Sequence, residues 1–279
     1  MDKLMKAASL NTTKVFNVGD LNSLNSRSGS PGFQRKYISS DKKYFIKQQS
    51  IIDGKEMFDY LVELYASMIA QQFPEIDIMK YERCIIVCNN KNVNGCYADN
   101  YEIKGYSYLS LRYLCTINNI DYDAISYSFE DSNAFDELVK LFSDVTLLSE
   151  NVISKYIKDL IFMDLLTCNI DRHGNNLGVF IIQGAEIPAK IFDFGAGYWQ
   201  GTADLHSGLS INALLRRASI GPLYSYYEDA VYLLRDKCSA KEWDRYKSFV
   251  YPELPKELKH EAVLEYQRNV RRLFDGIRL

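Results

Sequence analysis

The chain has 279 residues, of which 47% are hydrophobic and 25% charged, with only 15 Gly and 6 Pro. That length suits one two-lobed domain or two small ones with a sizeable core, and the composition argues against long disordered stretches. A net charge of −3, from 33 Lys+Arg against 36 Asp+Glu, gives no basic surplus of the kind a dedicated nucleic-acid binder carries. The 6 Cys form no C-x-x-C pair, which argues against zinc and for free thiols in a reducing compartment. The N-terminus lacks a continuous apolar stretch and no apolar run approaches the roughly 18 residues of a membrane helix. The expectation is a soluble, cytoplasmic protein with neither nucleic acid nor membrane as partner.

In chain order, Lys14–Val18 and Gln34–Ile38 read as strands on either side of a turn-rich stretch, Asn25–Gly32. Ser39–Lys42 is a turn and Tyr44–Gln48 a third strand. Asp53 with Glu56 three residues on has the form of a capping box, which predicts a helix start there. Met57, Leu61, Leu64 and Met68 then form an apolar stripe, and Pro74 marks the stop. Tyr81–Val87 and Gly95–Ala98 are two further strands joined by an Asn-rich turn over 89–94. From about Asp131 the chain becomes mainly helical, with a long apolar helix over Asn151–Leu166. Asn176–Gln183 and Lys190–Phe194 read as a hairpin across Gly184, and the remainder from about Leu209 is helical, punctuated by Pro252 and Pro255. Strands first and helices after predict an α+β fold.

Chemistry concentrates between the long helix and the hairpin, in Asn169-Ile-Asp171-Arg-His173-Gly-Asn-Asn176, followed by Ile191-Phe-Asp193-Phe-Gly195. Phosphoryl transfer needs a carboxylate to position the attacking hydroxyl and take its proton, oxygen ligands for magnesium, and a cation on the nucleotide phosphates. Asp171 can be the base, and Asn176 and Asp193 the metal ligands, since hard cations prefer carboxylate and amide oxygen. The spacing D-x-x-x-x-N followed by D-F-G is the one kinases use. His173 is assigned to orienting the loop. Asp164, a carboxylate in an apolar run, needs buried partners and points to a bond with that loop. Lys47, in the third strand, is the candidate phosphate cation. Its candidate partner is Glu63, mid-helix beside the small Ala66, Ser67 and Ala70, in preference to Glu56. Gly29, Ser30 and Gly32 would form the phosphate lid.

At these residues the chain resembles the HipA-like kinases, close to their cell-translocating kinase A group. Asn169–Asn176 looks like their catalytic loop, Phe192–Gly195 like their second metal motif, and Gly32–Lys36 like their phosphate-loop exit. The resemblance implies a two-lobed protein-kinase-like fold, with an N-lobe over 1–102 and a C-lobe over 103–279. Gly95–Tyr101 would be the last N-lobe strand and hinge, so that backbone near Asn100, Tyr101 and Glu102 faces adenine. It also implies ATP- and Mg2+-dependent phosphorylation of serine or threonine in a protein substrate, with autophosphorylation at Ser28 or Ser30. The HipA toxins carry an extra N-terminal subdomain for which a Gly-rich turn near residue 25 leaves no room, and this argues against a HipB-type antitoxin partner. D-R-H-x-x-N also resembles the phosphoinositide lipid kinases, but the segment after D-F-G, Ala196–Ser207, has no Lys or Arg for an acidic headgroup. Small-molecule phosphotransferases, which place His before Asp, rank third. A nucleotide-binding pseudokinase acting as an interaction module is the remaining alternative.

Overall fold

A computed structural model describes residues 13–24, 34–126, 133–200, 204–206, 209–220, 223 and 225–277. Its N-terminal part is a six-stranded sheet in the order β1-β7-β8-β4-β3-β2. The strands are β1 Lys14–Asn17, β2 Leu21–Ser23, β3 Lys36–Ser39, β4 Tyr44–Gln48, β7 Glu82–Cys88 and β8 Lys91–Asp99. A small hairpin, β5 Ile51–Ile52 with β6 Lys55–Glu56, precedes helix α1, Asp59–Ala70. The rest is mainly helical. It comprises α2 Leu111–Ile117, α3 Tyr122–Ser126, α4 Ala134–Asp144, α5 Glu150–Thr167, α6 Ile211–Leu215, α7 Tyr227–Lys237, α8 Ala240–Lys247 and α9 Glu261–Gly276. The α+β reading therefore holds. No helix among the described residues is long and apolar enough to cross a membrane.

Several local expectations are corrected by what the elements pair with. The strand that leads into the Gly-rich stretch is β2, which pairs antiparallel with β3. Lys14–Asn17 instead crosses to the far edge and runs parallel to β7. Asp53 and Glu56 cap no helix. Asp53 and Gly54 have φ of 50° and 75° and form the two-residue turn between β5 and β6, the left-handed geometry for which Asp-Gly is suited. Met57 N–H then donates to the carbonyl of Ser50 at 2.9 Å, and the helix begins two residues later. Of the apolar stripe, Met57 and Leu61 are buried and Leu64 packs against the core, but Met68 is 43% exposed, and Tyr60, Val62, Tyr65, Ala66 and Ile69 are buried as well. α1 packs between the sheet and α5, so most of its circumference is covered. The Asn-rich turn is only Asn89-Asn90, both at positive φ, and β8 already begins at Lys91.

The predicted metal-site hairpin is likewise shorter. β10 Gly178–Ile182 pairs with β11 Ala185–Pro188 across Gln183-Gly184, and on its other side with β9 Tyr106–Ser110, a strand the sequence reading did not foresee. Lys190–Phe194 is not its second strand. Ile191 makes an isolated parallel bridge to Ile78, donating to Asp77 O at 2.9 Å and accepting from Met79 N at 2.8 Å. A two-stranded hairpin, β12 Ser219–Ile220 with β13 Ser225–Tyr226, also interrupts the helical region.

One contiguous core runs from α1 through α5 to α9, so the sheet's helix and the helical part share their buried side chains. Tyr65 OH donates to Pro252 O at 2.8 Å, and Gln267 donates to Tyr65 OH at 3.2 Å across the same junction. A second, small cluster of Tyr37, Ile46, Cys84 and Ile86 lies on the sheet's other face.

Gly95 in β8 is a point of close approach, because a Cβ there would lie 2.5 Å from the carbonyl of Lys47. Gly95→Ala should lose about 1–3 kcal/mol in urea unfolding, the usual cost of overpacking. Gly19→Ala, where a Cβ meets nothing within 4 Å, should stay within about 0.5 kcal/mol of the parent.

Candidate active site

Strand alternation in β4 turns Lys47 to the inner face of the sheet, where it is 1% exposed. α1 brings Glu63, wholly buried, onto Nζ of Lys47 as an ion pair. The same ammonium donates to Asp193 Oδ1 at 2.5 Å, and Lys36 reaches Asp193 Oδ2 at 3.3 Å. Lys36 and Lys47 are directly opposed in the β3–β4 register, which is why two cations meet one carboxylate. Burial alone would raise Asp193, but Lys36 and Lys47 outweigh it and hold its pKa well below the usual carboxylate range. Burial would conversely lower Lys47, and Asp193 and Glu63 hold its pKa well above the ordinary value. Glu56, the alternative partner, is exposed on the β5–β6 hairpin. The small residues beside Glu63 serve a purpose: Ser67 Oγ donates to Glu63 O at 2.9 Å and accepts from Tyr81 N at 2.9 Å.

The loop below is fixed by a buried ion pair. Asp164 on α5 and Arg172 are both 0% exposed. Arg172 Nε and Nη2 donate to the two Asp164 oxygens at 2.9 and 2.8 Å. Asn169 Nδ2 adds a bond to Asp164 Oδ1 at 2.9 Å. Burial raises the Asp164 pKa, opposed by Arg172 and Asn169. Cys168 closes α5 in the left-handed conformation, φ 49°, which turns the chain back so that Arg172 can reach a residue eight positions earlier. The third guanidinium nitrogen of Arg172 donates to Asn176 O and Phe192 O, tying the catalytic loop to the D-F-G segment. Asn169 Nδ2 reaches Asp193 O at 3.3 Å as well. Asp193 itself is left-handed, φ 67°. The sequence reading brought Asn176 and Asp193 to one edge through a shared hairpin. They meet instead through Arg172, because β11 ends at Pro188.

Asp171 is exposed at the mouth of this arrangement. Crowding by protein on its inner side raises its pKa, and negative Asp193 adds to that while His173 opposes it. His173 is half-buried, and its Nδ1 accepts from Asn175 N at 3.2 Å, a contact that orients the ring within the loop. Burial lowers its pKa. Asn176 is 6% exposed, and its N–H donates to His173 O at 2.8 Å.

Of the predicted adenine-facing residues, Asn100 gives its N–H to Lys43 O at 2.8 Å, and its side chain accepts from Glu102 N at 3.2 Å. The Glu102 carbonyl accepts from Gly105 N at 3.1 Å, so backbone groups of both kinds there are bonded within the protein. The Tyr101 ring packs on Tyr106 and Phe180. Gly29, Ser30 and Gly32 lie outside the described residues, as does Ser28. Sequence reasoning missed Lys36 as a site cation. The signal was present, since a lysine two residues past Gln34 opens the strand that pairs with the Lys47 strand.

Arg172→Ala should cost about 3–5 kcal/mol in chemical denaturation, because it strands Asp164 without its cation. Arg172→Lys should recover little of this, since an ammonium cannot span both carboxylate oxygens and two carbonyls. A second expectation concerns Asp59, buried at the start of α1 and bonded to Ser50 Oγ, whose pKa burial raises to about 6. The folded state then binds a proton that the unfolded state, at the ordinary value near 3.8, has released. Its stabilising contribution is full below pH 3.8 and is lost as pH rises through about 6. Denaturation from pH 4 to 7 should show Asp59→Asn with a shallower fall than the parent.

No family model and no curated protein matches the sequence. Solved structures do. The proinflammatory kinase CtkA of Helicobacter pylori aligns over 95% of this chain and 97% of its own, with a TM-score of 0.58 and 16% identity. The HipA toxin–antitoxin complex of Shewanella oneidensis MR-1, with HipB and operator DNA, aligns over 99% of this chain and 70% of the other, at TM-score 0.44 and 10% identity, too loose to bear on the fold. The CtkA alignment spans both the sheet and the helical part. The chain has a protein-kinase-like fold of the kind seen in CtkA.

Proposed function

We propose that the protein is an ATP- and magnesium-dependent serine/threonine protein kinase, with an N-lobe over 1–102 and a C-lobe over 103–279. The observation that carries this is the convergence of Lys47, Glu63 and Asp193 from a strand, a helix and the D-F-G segment, above a loop presenting Asp171 and Asn176.

The donor set fits magnesium. Among the described residues no group of three His, Cys, Asp or Glu gathers for a metal, and magnesium does not need one. It takes one or two protein oxygens and completes its shell with phosphate oxygens and water. Asp193 and Asn176 are those protein ligands. When bound, the metal neutralises charge on the transferring phosphoryl group. Lys47, held by Glu63, grips the nucleotide phosphates, and Lys36 is a second cation facing the same space. Backbone near Asn100 to Glu102 faces adenine. Asp171 orients the acceptor hydroxyl and takes its proton on a carboxylate oxygen; its raised pKa makes it a better acceptor than an ordinary aspartate. His173 keeps the loop in register. Serines 28 and 30 are the proposed autophosphorylation sites.

Purified protein with magnesium and γ-labelled ATP should become labelled, with the phosphate mapping to Ser28 or Ser30 by mass spectrometry. Asp171→Ala and Asp193→Ala should lower the rate by about two to three orders of magnitude while keeping the parent's circular dichroism. A folded Asp171→Ala protein at full rate would sink the assignment.

A further inference from the structure

The outer face of the sheet, away from the Lys47 cluster, carries three aromatic rings set at steep angles. Tyr44 and Tyr97 lie 5.2 Å apart at 86°, and Phe16 stands 6.0 and 5.7 Å from them at 62° and 68°. Lys14 and Phe16 share a face of β1, being two residues apart. Nζ of Lys14 sits in the corner, 3.5 Å from the Tyr44 centroid and 4.6 Å from that of Tyr97. Among the described residues Lys14 makes no ion pair with a carboxylate, so π faces alone meet its charge. Tyr97 OH donates to Glu82 at 2.6 Å, which fixes the ring and sets a negative charge at the rim.

Tyr97 and Glu82 also wall a cavity of about 540 Å³, together with Asp77, Lys80, Asp99, Tyr101 and Lys190. Asp77 is paired with Lys190, and Asp99 with Lys104. Glu82 is left as the carboxylate with charge to offer a cation.

We infer that this corner is a cation cage, filled in cis by Lys14, which takes a methylated ammonium group in trans when Lys14 withdraws. A primary ammonium is compact and strongly hydrated, so holding it against rings costs it water. Methyl groups spread the charge and shed that water, and orthogonal aromatic walls favour such a cation. Lys14 is therefore a weak occupant of a well-formed site. The cavity beside it accommodates the remainder of the ligand, whose class is a small molecule or peptide side chain bearing a methylated ammonium. The inference does not depend on the kinase reading.

The test is a titration with tetramethylammonium chloride followed by NMR of the tyrosine rings, with sodium chloride as the ionic-strength control. Lys14→Ala should show saturable shifts with a Kd about tenfold below that of the parent, the scale of one desolvated cation–π contact. The double variant Lys14→Ala/Tyr44→Leu should show none. No saturation in Lys14→Ala, or an equal response in the double variant, would overturn the cage. Should Lys14→Ala fail to fold, reductive 13C-dimethylation of the parent decides the matter. The dimethyl-Lys14 signal, assigned by its loss in Lys14→Arg, should be displaced upfield by the rings and return in Tyr44→Leu. An undisplaced signal also overturns the proposal.

Discussion

The Asp164–Arg172 pair lies wholly out of water, and the stretches of chain that carry Asp171, Asn176 and Asp193 are tied to it. Its two-point contact fixes the guanidinium plane, and the remaining nitrogen then has one direction in which to donate. That direction leads to the carbonyls of Asn176 and Phe192. A charge pair in this setting contributes little net stability against a hydrophobic replacement. What it supplies is position: two stretches of chain are tied through Arg172 to one carboxylate on α5.

Above this anchor the electrostatics are a balance among desolvated charges. Lys47 faces both Glu63 and Asp193, and Asp193 faces both Lys47 and Lys36. Asp193 keeps its charge despite burial because two cations touch it. In the proposed chemistry, Asp193 would hold the metal, and Lys36 and Lys47 would then face the phosphates. Glu63 has no such alternative, so it holds Lys47 in place while Asp193 changes partner.

Much of this was legible in the residues. A carboxylate in an apolar run demands a partner, and Asp164 has Asn169 and Arg172, both in the loop it was expected to hold. Glu63 is distinguished from Glu56 by its small neighbours, which admit Tyr81 and Ser67 alongside it. Other signals pointed two ways. Asp53 with Glu56 satisfies a capping box, while Asp53-Gly54 satisfies a two-residue turn. The turn wins because Ser50 binds Met57 and the buried Asp59, and so draws the chain back before the helix begins.

The sequence by itself determined that a strand-rich part precedes a mainly helical one, the long apolar helix, and which residue types gather around residues 164–195. These depend on local periodicity and on the price of burying a charge, both of which act within a few residues. Only the tertiary structure decided that Ile191 pairs with Ile78 and not with the β10 hairpin, that Tyr106–Ser110 is a strand at all, and that Lys36 faces Asp193. A strand's partner is set by which hydrogen-bonding edge is left uncovered once the core has formed, and local sequence carries no record of that.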